Sequence, residues 1–379
     1  MRLLAYTDSQ AVGGAELALG YLLRALAPEI EVGLLVSDPE VGEMLATYRP
    51  QAPLSIVPAP AGLDDRAALL AHLRAIRAHA PDILHANQAW PWACGYGELA
   101  ALLTPGVRVL AVDHLPIGGA VPRRRILARR LLARRLHAHV SVGERSARAV
   151  EEIIGLRAGS VGAVPNGVPR WHGESLPPAL AAGSSFASAA GPIVGSVGRL
   201  TDQKGYDLLI RALPELPGAR LVLVGDGPQR GALERLAAQL GVAERLLITG
   251  WIADARAHLP GFDVFALPSR WEGMPLGIIE AMHAALPVLA CDVGSVVEAV
   301  RDGESGFVVG ADDLPALQAR LATLLADPQL RRRMGERGRS LATENFTDTV
   351  MARRYEAIYY EMIGPVARTR GRASARGGP

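Results

Sequence analysis

Short apolar runs alternate with longer amphipathic segments along almost the whole chain, in two series. The first series has runs at 2–7, 31–37, 82–87, 107–113 and 138–143, and the second at 192–198, 219–225, 245–250, 263–269 and 287–293. Continuous apolar runs of this length are typical of strands buried on both faces of a parallel sheet. The pattern therefore predicts an α/β protein with two successive sheets, each covered by helices.

A segment rich in Pro, Gly, Ser and Ala separates the two series at 173–192. It has no periodicity, so we expect a linker there. It would join a Rossmann-like domain at 1–172 to a second one at 193–345. Helical patterns continue to about residue 363, and the Gly- and Arg-rich tail at 364–379 is predicted to be disordered.

Composition limits the classes of protein that fit this organisation. A chain of 379 residues exceeds one ordinary hydrophobic core, which also favours two domains. Lys and Arg number 40 against 38 Asp and Glu, so no global basic field for nucleic acid is expected. Two distant cysteines, Cys94 and Cys291, predict neither a disulfide framework nor a zinc site. With polar residues by position seven and no long apolar run, we expect a cytoplasmic protein.

Unusual residues follow the predicted strands at their carboxyl ends, where ligands bind in open α/β sheets. Gly13 and Gly14 follow the first strand and precede a helix that should begin near Ala15. Such glycines let a ligand approach the backbone, and a helix start favours an anion, although a plain turn fits equally well. In the second half, Arg199 and Lys204 follow the first strand. They could bind a diphosphate, or they could be solvated surface residues.

The segment SRWEGMPLGIIEAM (269–282) places Glu272 before a helical pattern and Glu280 within it. Their separation of roughly 12 Å along an ideal helix is too long for a glycosidase acid/base pair, which needs roughly 5 to 10 Å. Two carboxylates that reach separate hydroxyl groups of one ligand fit better, although two surface glutamates are the commoner case. Pro275 lies near the first helical turn, which leaves these amide groups without helical partners: Gly273, Met274 and Leu276.

Several motifs occur in an order and spacing that resembles the family 4 (GT4) retaining glycosyltransferases of GT-B fold. They are the Gly13-Gly14 pair, VPNGV (164–168), VGRLTDQKG (197–205), VGDGPQR (224–230), EGMPLGIIEAM (272–282) and DVGSVVEAVRDGESGFVV (292–309). The resemblance extends from residue 1 to about 360. It implies two doubly wound Rossmann-like domains with a cleft between them, and a helix at 346–363 that crosses back to the first domain.

The resemblance also implies roles for the candidate residues. Glu280 would bind the ribose hydroxyls of a nucleotide-sugar donor. Glu272 and the amides from Gly273 to Leu276 would bind the donor sugar, and Gly13 and Gly14 would also contact the donor. Arg199 and Lys204 would bind the diphosphate and stabilise its charge as it leaves, so neither a metal nor another cofactor is expected.

Histidines follow two strands of the first half. His114 matches the active-site histidine of the family, which is expected to contact the donor sugar, although a structural role is also consistent with its position. His85 is a weaker candidate. Ala285 and Ser295 stand where the family often has glycine, and the first of these concerns helix termination.

The function implied is transfer of a hexosyl unit from a UDP-sugar, or from GDP-mannose, to a hydroxyl of a glycan, lipid or small molecule. A GT-B sugar-nucleotide epimerase and a non-catalytic nucleotide-sugar-binding protein are the alternatives. A dinucleotide-dependent oxidoreductase is disfavoured, because VGDGPQRG has a GxGxxxG spacing and the next strand ends without an acidic residue.

Two segments bear on the acceptor and on other partners. NQAWPWACGYGE (87–98) carries Trp90, Trp92 and Tyr96, which stack on sugars or, more commonly, pack in a core. The segment 123–135 carries seven arginines and is the candidate for peripheral membrane contact. Because its arginines are spread around a helical wheel, a solvated helix is the favoured interpretation.

Overall fold

A computed structural model describes residues 1–62, 64–117, 119, 121–170 and 191–364. The chain divides into two compact units: one comprises Met1–Gly167 and the chain from Asp348 onward, and the other Val168–Thr347. The predicted linker at 173–192 and tail at 364–379 lie outside the described residues, apart from 191, 192 and 364. The domain boundaries predicted at 172 and 193 stay predictions.

The first unit contains a seven-stranded sheet in the order β3-β2-β1-β4-β5-β6-β7, in which all neighbouring strands are parallel. Its strands are β1 Arg2–Thr7, β2 Glu31–Val36, β3 Leu54–Ile56, β4 Ile83–Gln88, β5 Arg108–Asp113, β6 Ala138–Ser141 and β7 Gly162–Ala163. Its helices are α1 Gly14–Ala25, α2 Pro39–Tyr48, α3 Arg66–His79, α4 Gly95–Leu102, α5 Arg123–Ala133, α6 Glu144–Ile154 and, at the end of the chain, α13 Asp348–Ile363.

The second unit contains a six-stranded parallel sheet in the order β10-β9-β8-β11-β12-β13. Its strands are β8 Ile193–Val197, β9 Arg220–Val224, β10 Leu246–Ile248, β11 Val264–Leu267, β12 Val288–Cys291 and β13 Gly306–Val309. Its helices are α7 Tyr206–Ala212, α8 Arg230–Gln239, α9 Leu276–His283, α10 Val296–Ala299, α11 Leu314–Ala326 and α12 Pro328–Asn345. Short 3-10 helices lie at Asp202–Lys204, Leu213–Glu215, Ala243–Arg245 and Ala255–Gly261.

All ten strands predicted from the apolar runs are confirmed, and with them the α/β class and the two parallel sheets. The sequence pattern missed β3, β7 and β13, which are outermost strands of their sheets. β3 is partly exposed and β7 has only two residues, so neither leaves a continuous apolar run, whereas β13 is mostly buried and was missed despite its apolar GFVV sequence. In β3, for example, Leu54 and Ile56 are both exposed.

The strand order decides which helices lie together in the first unit. From β3 through β4 and β5 to β6 the chain moves in one direction across the sheet, and right-handed crossovers place α3, α4 and α5 on one side. The chain moves in the opposite direction from β1 to β3, which places α1 and α2 on the other side. The packing agrees, because α4 contacts both α3 and α5, whereas α1 contacts α2 and α13.

Each sheet also has a point where the strand order reverses, between β1 and β4 in the first unit and between β8 and β11 in the second. The loops that leave such neighbouring strands diverge and form a crevice at their carboxyl ends. The loops after β1, β4, β8 and β11 are therefore where a ligand site is expected in each unit.

Helix α13 belongs to the first unit. Asp348 at its start accepts a hydrogen bond of 2.6 Å from Nη2 of Arg24, and Glu356 accepts one of 2.8 Å from the amide of Ala27. In the part of the chain that the structure describes, no helix is both long and apolar enough to cross a membrane.

Candidate active site

The loops after β8 and β11 bring together a lysine and a glutamate that the sequence had singled out separately. Nζ of Lys204 lies 2.6 Å from Oε1 of Glu272, and Oγ of Ser269 donates to the same oxygen at 2.8 Å. The Lys204 side chain is 17% exposed and that of Glu272 is 7% exposed. The result is a largely buried ion pair at the carboxyl edge of the second sheet, where the strand order reverses.

Backbone contacts hold these two loops in place. Nε2 of Gln203 donates to the carbonyl of Trp271 at 3.0 Å, and the amide of Arg270 donates to the carbonyl of Gln203 at 2.8 Å. Gly205 has a φ of +63°, and a Cβ there would lie 2.1 Å from the carbonyl oxygen of Pro268. Only glycine fits that position, because both the backbone conformation and the close approach exclude a side chain. The ion pair is thus built on a rigid frame.

Arg199 lies in the same loop as Lys204, immediately after Gly198, and is exposed. The structure therefore places both predicted diphosphate-binding cations on one loop at the end of β8. Lys204 is held against Glu272, whereas Arg199 is at the surface of the unit.

Glu280 lies on α9 and is buried, with Oε1 3.8 Å from Nε of Arg256. The guanidinium of Arg256 also donates from Nη2 to the carbonyl of Pro169 at 2.8 Å. Arg256 was not predicted as a site residue, because a single arginine in a short 3-10 helix carries no recognisable spacing. Helix α9 begins only at Leu276, so Glu272 lies before the helix. The separation of roughly 12 Å expected for an ideal helix therefore does not apply to the whole segment from Glu272 to Glu280.

The segment between the two glutamates is fixed by the loop after β12. The amide of Ser295 donates to the carbonyl of Gly273 at 2.8 Å. Gly294 has a φ of +51°, and a Cβ there would lie 2.0 Å from the carbonyl oxygen of Glu272. Met274 and Leu276 are buried, and Pro275 directly precedes α9. The departure from the family pattern at Ser295 is compatible with this packing, since its contact is made by the backbone.

At the end of β1 in the first unit, Gly13 precedes α1, which begins at Gly14. The amide of Gly13 donates to Oε2 of Glu16 at 3.0 Å, so this donor is already engaged with a carboxylate. A Cβ on Gly14 would meet no atom within 4 Å. Packing within the protein therefore gives no reason for glycine at position 14, whereas close approach of a ligand would give one.

His114 is held by a short chain of hydrogen bonds in the first unit. Its Nε2 lies 2.8 Å from Oδ1 of Asn87, and Nδ2 of Asn87 donates to the carbonyl of Ala15 at 3.2 Å. Since Asn87 presents its oxygen, Nε2 of His114 must carry the hydrogen. Burial lowers the pKa of His114 to about 4, against a smaller opposing effect of Asp113. The ring is therefore neutral at pH 7, with its orientation set at the start of α1.

The weaker histidine candidate, His85, packs inside the first unit. It is buried, and its Nδ1 lies 2.7 Å from the hydroxyl of Tyr359 on α13. Burial lowers the pKa of His85 to about 3, with a further effect of the nearby His114. These contacts favour a structural role for His85.

Two of the three aromatic candidates are used by the fold. Trp92 is buried, and the hydroxyl of Tyr96 donates to the carbonyl of Gly62 and accepts from the amide of Asp65. Trp90 is 40% exposed, and the guanidinium of Arg125 lies 5.9 Å from its ring centre.

A carboxylate that the sequence analysis missed also lies at the end of β1. Oδ2 of Asp8 accepts a 2.7 Å hydrogen bond from the amide of Cys94, which has the left-handed φ of +59°. Burial raises the pKa of Asp8 above its usual range. No motif in the sequence links these two residues, since they are 86 positions apart. Among the described residues, no group of three or more His, Cys, Asp or Glu side chains could hold a metal.

Solved structures with this architecture identify the class of fold. The structure is similar to that of HepE from Anabaena in complex with UDP, with a TM-score of 0.82 and 22% identity over 94% of this chain and 99% of that chain. It is also similar to sucrose-phosphate synthase from Thermosynechococcus elongatus, with a TM-score of 0.75 and 20% identity over 95% and 98% of the two chains. The fold is therefore GT-B.

Family models then identify the family. The model described as Glycosyltransferase Family 4 matches residues 12–170, and the model described as Glycosyl transferases group 1 matches residues 184–341. Together they cover both sheets, and the chain belongs to the GT4 family of glycosyltransferases. The resemblance inferred from the motifs is confirmed.

Curated relatives are similar over part of their length. A GDP-mannose-dependent alpha-(1-6)-phosphatidylinositol monomannoside mannosyltransferase from Mycolicibacterium smegmatis is 40% identical over 168 residues, which is 41% of this chain and 44% of the relative. The lipopolysaccharide core biosynthesis glycosyltransferase LpsE from Rhizobium meliloti is 36% identical over 159 residues, which is 42% and 47% of the two chains. The chain thus spans about half the length of the curated relatives it matches.

Proposed function

We propose that this protein is a retaining glycosyltransferase, which moves a hexosyl unit from a nucleoside-diphosphate sugar to a hydroxyl of a glycan, lipid or small-molecule acceptor. The observation that carries the proposal is the Lys204–Glu272 pair at the switch point of the second sheet. A carboxylate suits sugar hydroxyls, and an ammonium beside it suits a diphosphate. Membership of the GT4 family supports the same reading.

In this proposal the residues of the second unit bind the donor. Lys204 has three donor hydrogens, so it can contact a phosphate oxygen while it keeps Glu272 in place. Arg199 contacts the diphosphate beside it. Glu272, with the amides from Gly273 to Leu276, binds the sugar, and Glu280 binds the ribose hydroxyls.

The chemical step breaks the anomeric C–O bond, and its electron pair goes to the leaving phosphate oxygen. The acceptor hydroxyl forms the new bond on the same face of the sugar, and its proton passes to the leaving diphosphate. Arg199 and Lys204 stabilise the negative charge that grows on that diphosphate. Because this charge is larger in the transition state than in the ground state, the two cations lower the activation barrier. We expect this pair to replace a divalent cation, so that transfer continues in the presence of a chelator.

In the first unit, we propose that His114 contacts the transferred sugar and that Gly14 allows the donor to approach the start of α1. His114 acts as a neutral group, because its pKa is about 4. With Nε2–H directed to Asn87, its Nδ1 is the atom that accepts a hydrogen bond from a sugar hydroxyl.

The donor is proposed to be a UDP-sugar, with GDP-mannose as the alternative. HepE was solved with UDP and with UDP-glucose, whereas the mycobacterial relative is named GDP-mannose-dependent. One relative is named a phosphatidylinositol monomannoside mannosyltransferase and the other a glycosyltransferase of lipopolysaccharide core biosynthesis, which favours a lipid or glycan acceptor here.

Thermal unfolding with UDP, GDP, ADP and NAD tests the proposal. A ligand at a hundred times its dissociation constant adds about 2.7 kcal/mol, enough to raise the midpoint by several degrees. We expect a shift with UDP or GDP that Glu280→Ala abolishes. Glu336→Ala is the matched control, because Glu336 is exposed on α12 and forms an ion pair with Arg332, one helical turn earlier.

A shift with NAD alone, or none with any diphosphate, would overturn the proposal. If one nucleotide produces the shift, sugars linked to that nucleotide are the donors to use in assays of transfer. The anomeric configuration of the product, read by NMR, then tests retention.

A further inference from the structure

One side of the first unit carries exposed arginines and exposed leucines on three neighbouring helices. α3, α4 and α5 pack side by side, so their outward faces adjoin. We call this side the Arg–Leu surface. Its arginines are Arg66, Arg74, Arg77, Arg123, Arg124, Arg134 and Arg135, and its leucines are Leu70, Leu99, Leu103, Leu127 and Leu131.

The structure explains why the arginines of α5 are spread around the helical wheel. Three of them turn inward. Arg129 pairs with the buried Glu98, Arg130 donates from Nε to the carbonyl of Ile154 at 2.9 Å, and Arg125 donates to the carbonyl of Trp92 at 3.3 Å. The spread on the wheel therefore mixes structural arginines with exposed ones.

Once the inward arginines are set aside, the outward face of α5 is segregated. Leu127 and Leu131 are 55% and 56% exposed and lie one turn apart. Exposed arginines flank them at both ends of the helix: Arg123, Arg124, Arg134 and Arg135. An apolar centre with a cationic margin is the arrangement of a helix that lies on a membrane surface.

The charge of the Arg–Leu surface is not balanced within its own helices. α3, α4 and α5 contain one acidic residue, Glu98, and it is buried against Arg129. The acids that flank these helices along the chain lie outside them: Asp64 and Asp65 before α3, Asp82 after it, and Glu144 at the start of α6. The Arg–Leu surface is therefore strongly basic, although the net charge of the whole chain is only +2.

We propose that the Arg–Leu surface binds the anionic surface of a lipid bilayer. Arginines near such a surface each contribute about a fivefold gain in binding, and the leucines gain by leaving water for the acyl boundary. A nucleic acid or another soluble polyanion would use the arginines but would gain nothing from five exposed leucines. The inference goes beyond the proposed transfer reaction, and it places a lipid-linked acceptor within reach.

Co-sedimentation with vesicles tests this without any assay of transfer. We expect the full chain to bind vesicles of phosphatidylcholine mixed with phosphatidylglycerol at low salt, to leave them as salt rises, and not to bind phosphatidylcholine alone. Replacement of Arg123, Arg124, Arg134 and Arg135 by Gln should weaken binding by roughly 100-fold or more. The control replaces four exposed arginines of α12 by Gln, with the same change in charge: Arg332, Arg333, Arg337 and Arg339.

The leucines separate a membrane from other polyanions. Leu127→Ser with Leu131→Ser should weaken vesicle binding by roughly tenfold while all charges remain. Ile56→Ser, at an equally exposed residue of β3, should leave binding unchanged. Equal melting midpoints would show that all variants fold.

Three results would overturn the proposal. The first is no binding to anionic vesicles at low salt, and the second is an equal loss in the α12 control. The third is unchanged binding of the leucine variant together with equally tight binding to duplex DNA, which would indicate a general polyanion surface. Because binding is measured in the absence of substrate, failure here leaves the proposed transferase function untouched.

Discussion

The carboxyl edges of the two sheets hold their polar groups by different means. In the second unit the edge is charged, with Lys204 against Glu272 and Arg256 near Glu280. In the first unit the edge holds a neutral chain from Ala15 through Asn87 to His114, and burial keeps that histidine uncharged at pH 7. The difference indicates that the second unit is suited to a charged ligand group and the first to hydroxyl groups.

The same difference predicts where each unit is vulnerable. A charged edge depends on its ion pairs, because removal of one partner leaves the other buried and uncompensated. The first unit depends instead on buried histidines that stay neutral, so it is sensitive to acid. Three substitutions test this contrast, and a pair of alanine-to-glycine changes compares backbone strain in the two units.

Lys204→Met should have the largest effect. It removes a cation from the proposed diphosphate site and takes the ammonium partner away from Glu272, so we expect kcat to fall by roughly 100- to 1000-fold and stability by up to about 3 kcal/mol. Initial rates with the nucleotide sugar and urea unfolding measure the two effects. Adding Glu272→Gln should restore stability but not the rate. Recovery of both would show that the pair is only structural.

His85→Gln should reduce the acid sensitivity of the first unit. The pKa of folded His85 is about 3, so below the unfolded value of about 6.5 only the unfolded chain takes up the proton. The free energy of unfolding should then fall by about 1.4 kcal/mol for each pH unit as pH drops from 6.5 towards 3. This contribution of His85 to the pH dependence should be absent in the variant. Urea unfolding between pH 5 and 8 measures it, with parallel curves expected above pH 7. Unchanged slopes below pH 6 would refute the assignment.

Asn87→Asp should bring charge to the neutral chain of Ala15, Asn87 and His114. A carboxylate beside Nε2 favours the imidazolium, so the pKa of His114 should rise from about 4 by roughly 1 to 3 units. The rate of transfer should then acquire a pH dependence near pH 6 that the parent enzyme lacks. Imidazole NMR, with His114→Gln to assign the signal, reports the pKa directly. An unshifted signal would mean that Asn87 does not set the state of His114.

Ala285→Gly should have the smallest effect, and it has a counterpart in the first unit. Ala285, just after α9, and Ala80, just after α3, both adopt left-handed φ values, +57° and +43°. Glycine relieves this strain, but it also increases the conformational entropy of the unfolded chain. The net effect should stabilise each variant by about 0.5 kcal/mol. Urea midpoints measure the gain, and nucleotide binding should not change. A loss of stability in either variant would show that its Cβ contributes more by packing than it costs by strain.

Much of the fold could be predicted because central strands of parallel sheets leave a continuous apolar pattern. β3 and β7 do not, because β3 is partly exposed and β7 has only two residues. Within the candidate site, Glu272, Glu280, Arg199 and Lys204 could be selected because they follow strands or belong to a family motif. Arg256 and Asp8 could not, because each acts through a partner distant in sequence.

The sequence by itself determined the two sheets, the GT4 family and the residues that merit attention at the strand ends. These depend on local periodicity and on short motifs, which are written within a few neighbouring positions. Only the tertiary structure decided that Lys204 pairs with Glu272, that Asn87 fixes His114, and that three of the seven arginines at 123–135 turn inward while the other four are exposed. Side-chain partners, burial and the segregation of charge depend on contacts between segments that are distant in sequence. Such contacts cannot be predicted from the spacing of residues along the chain.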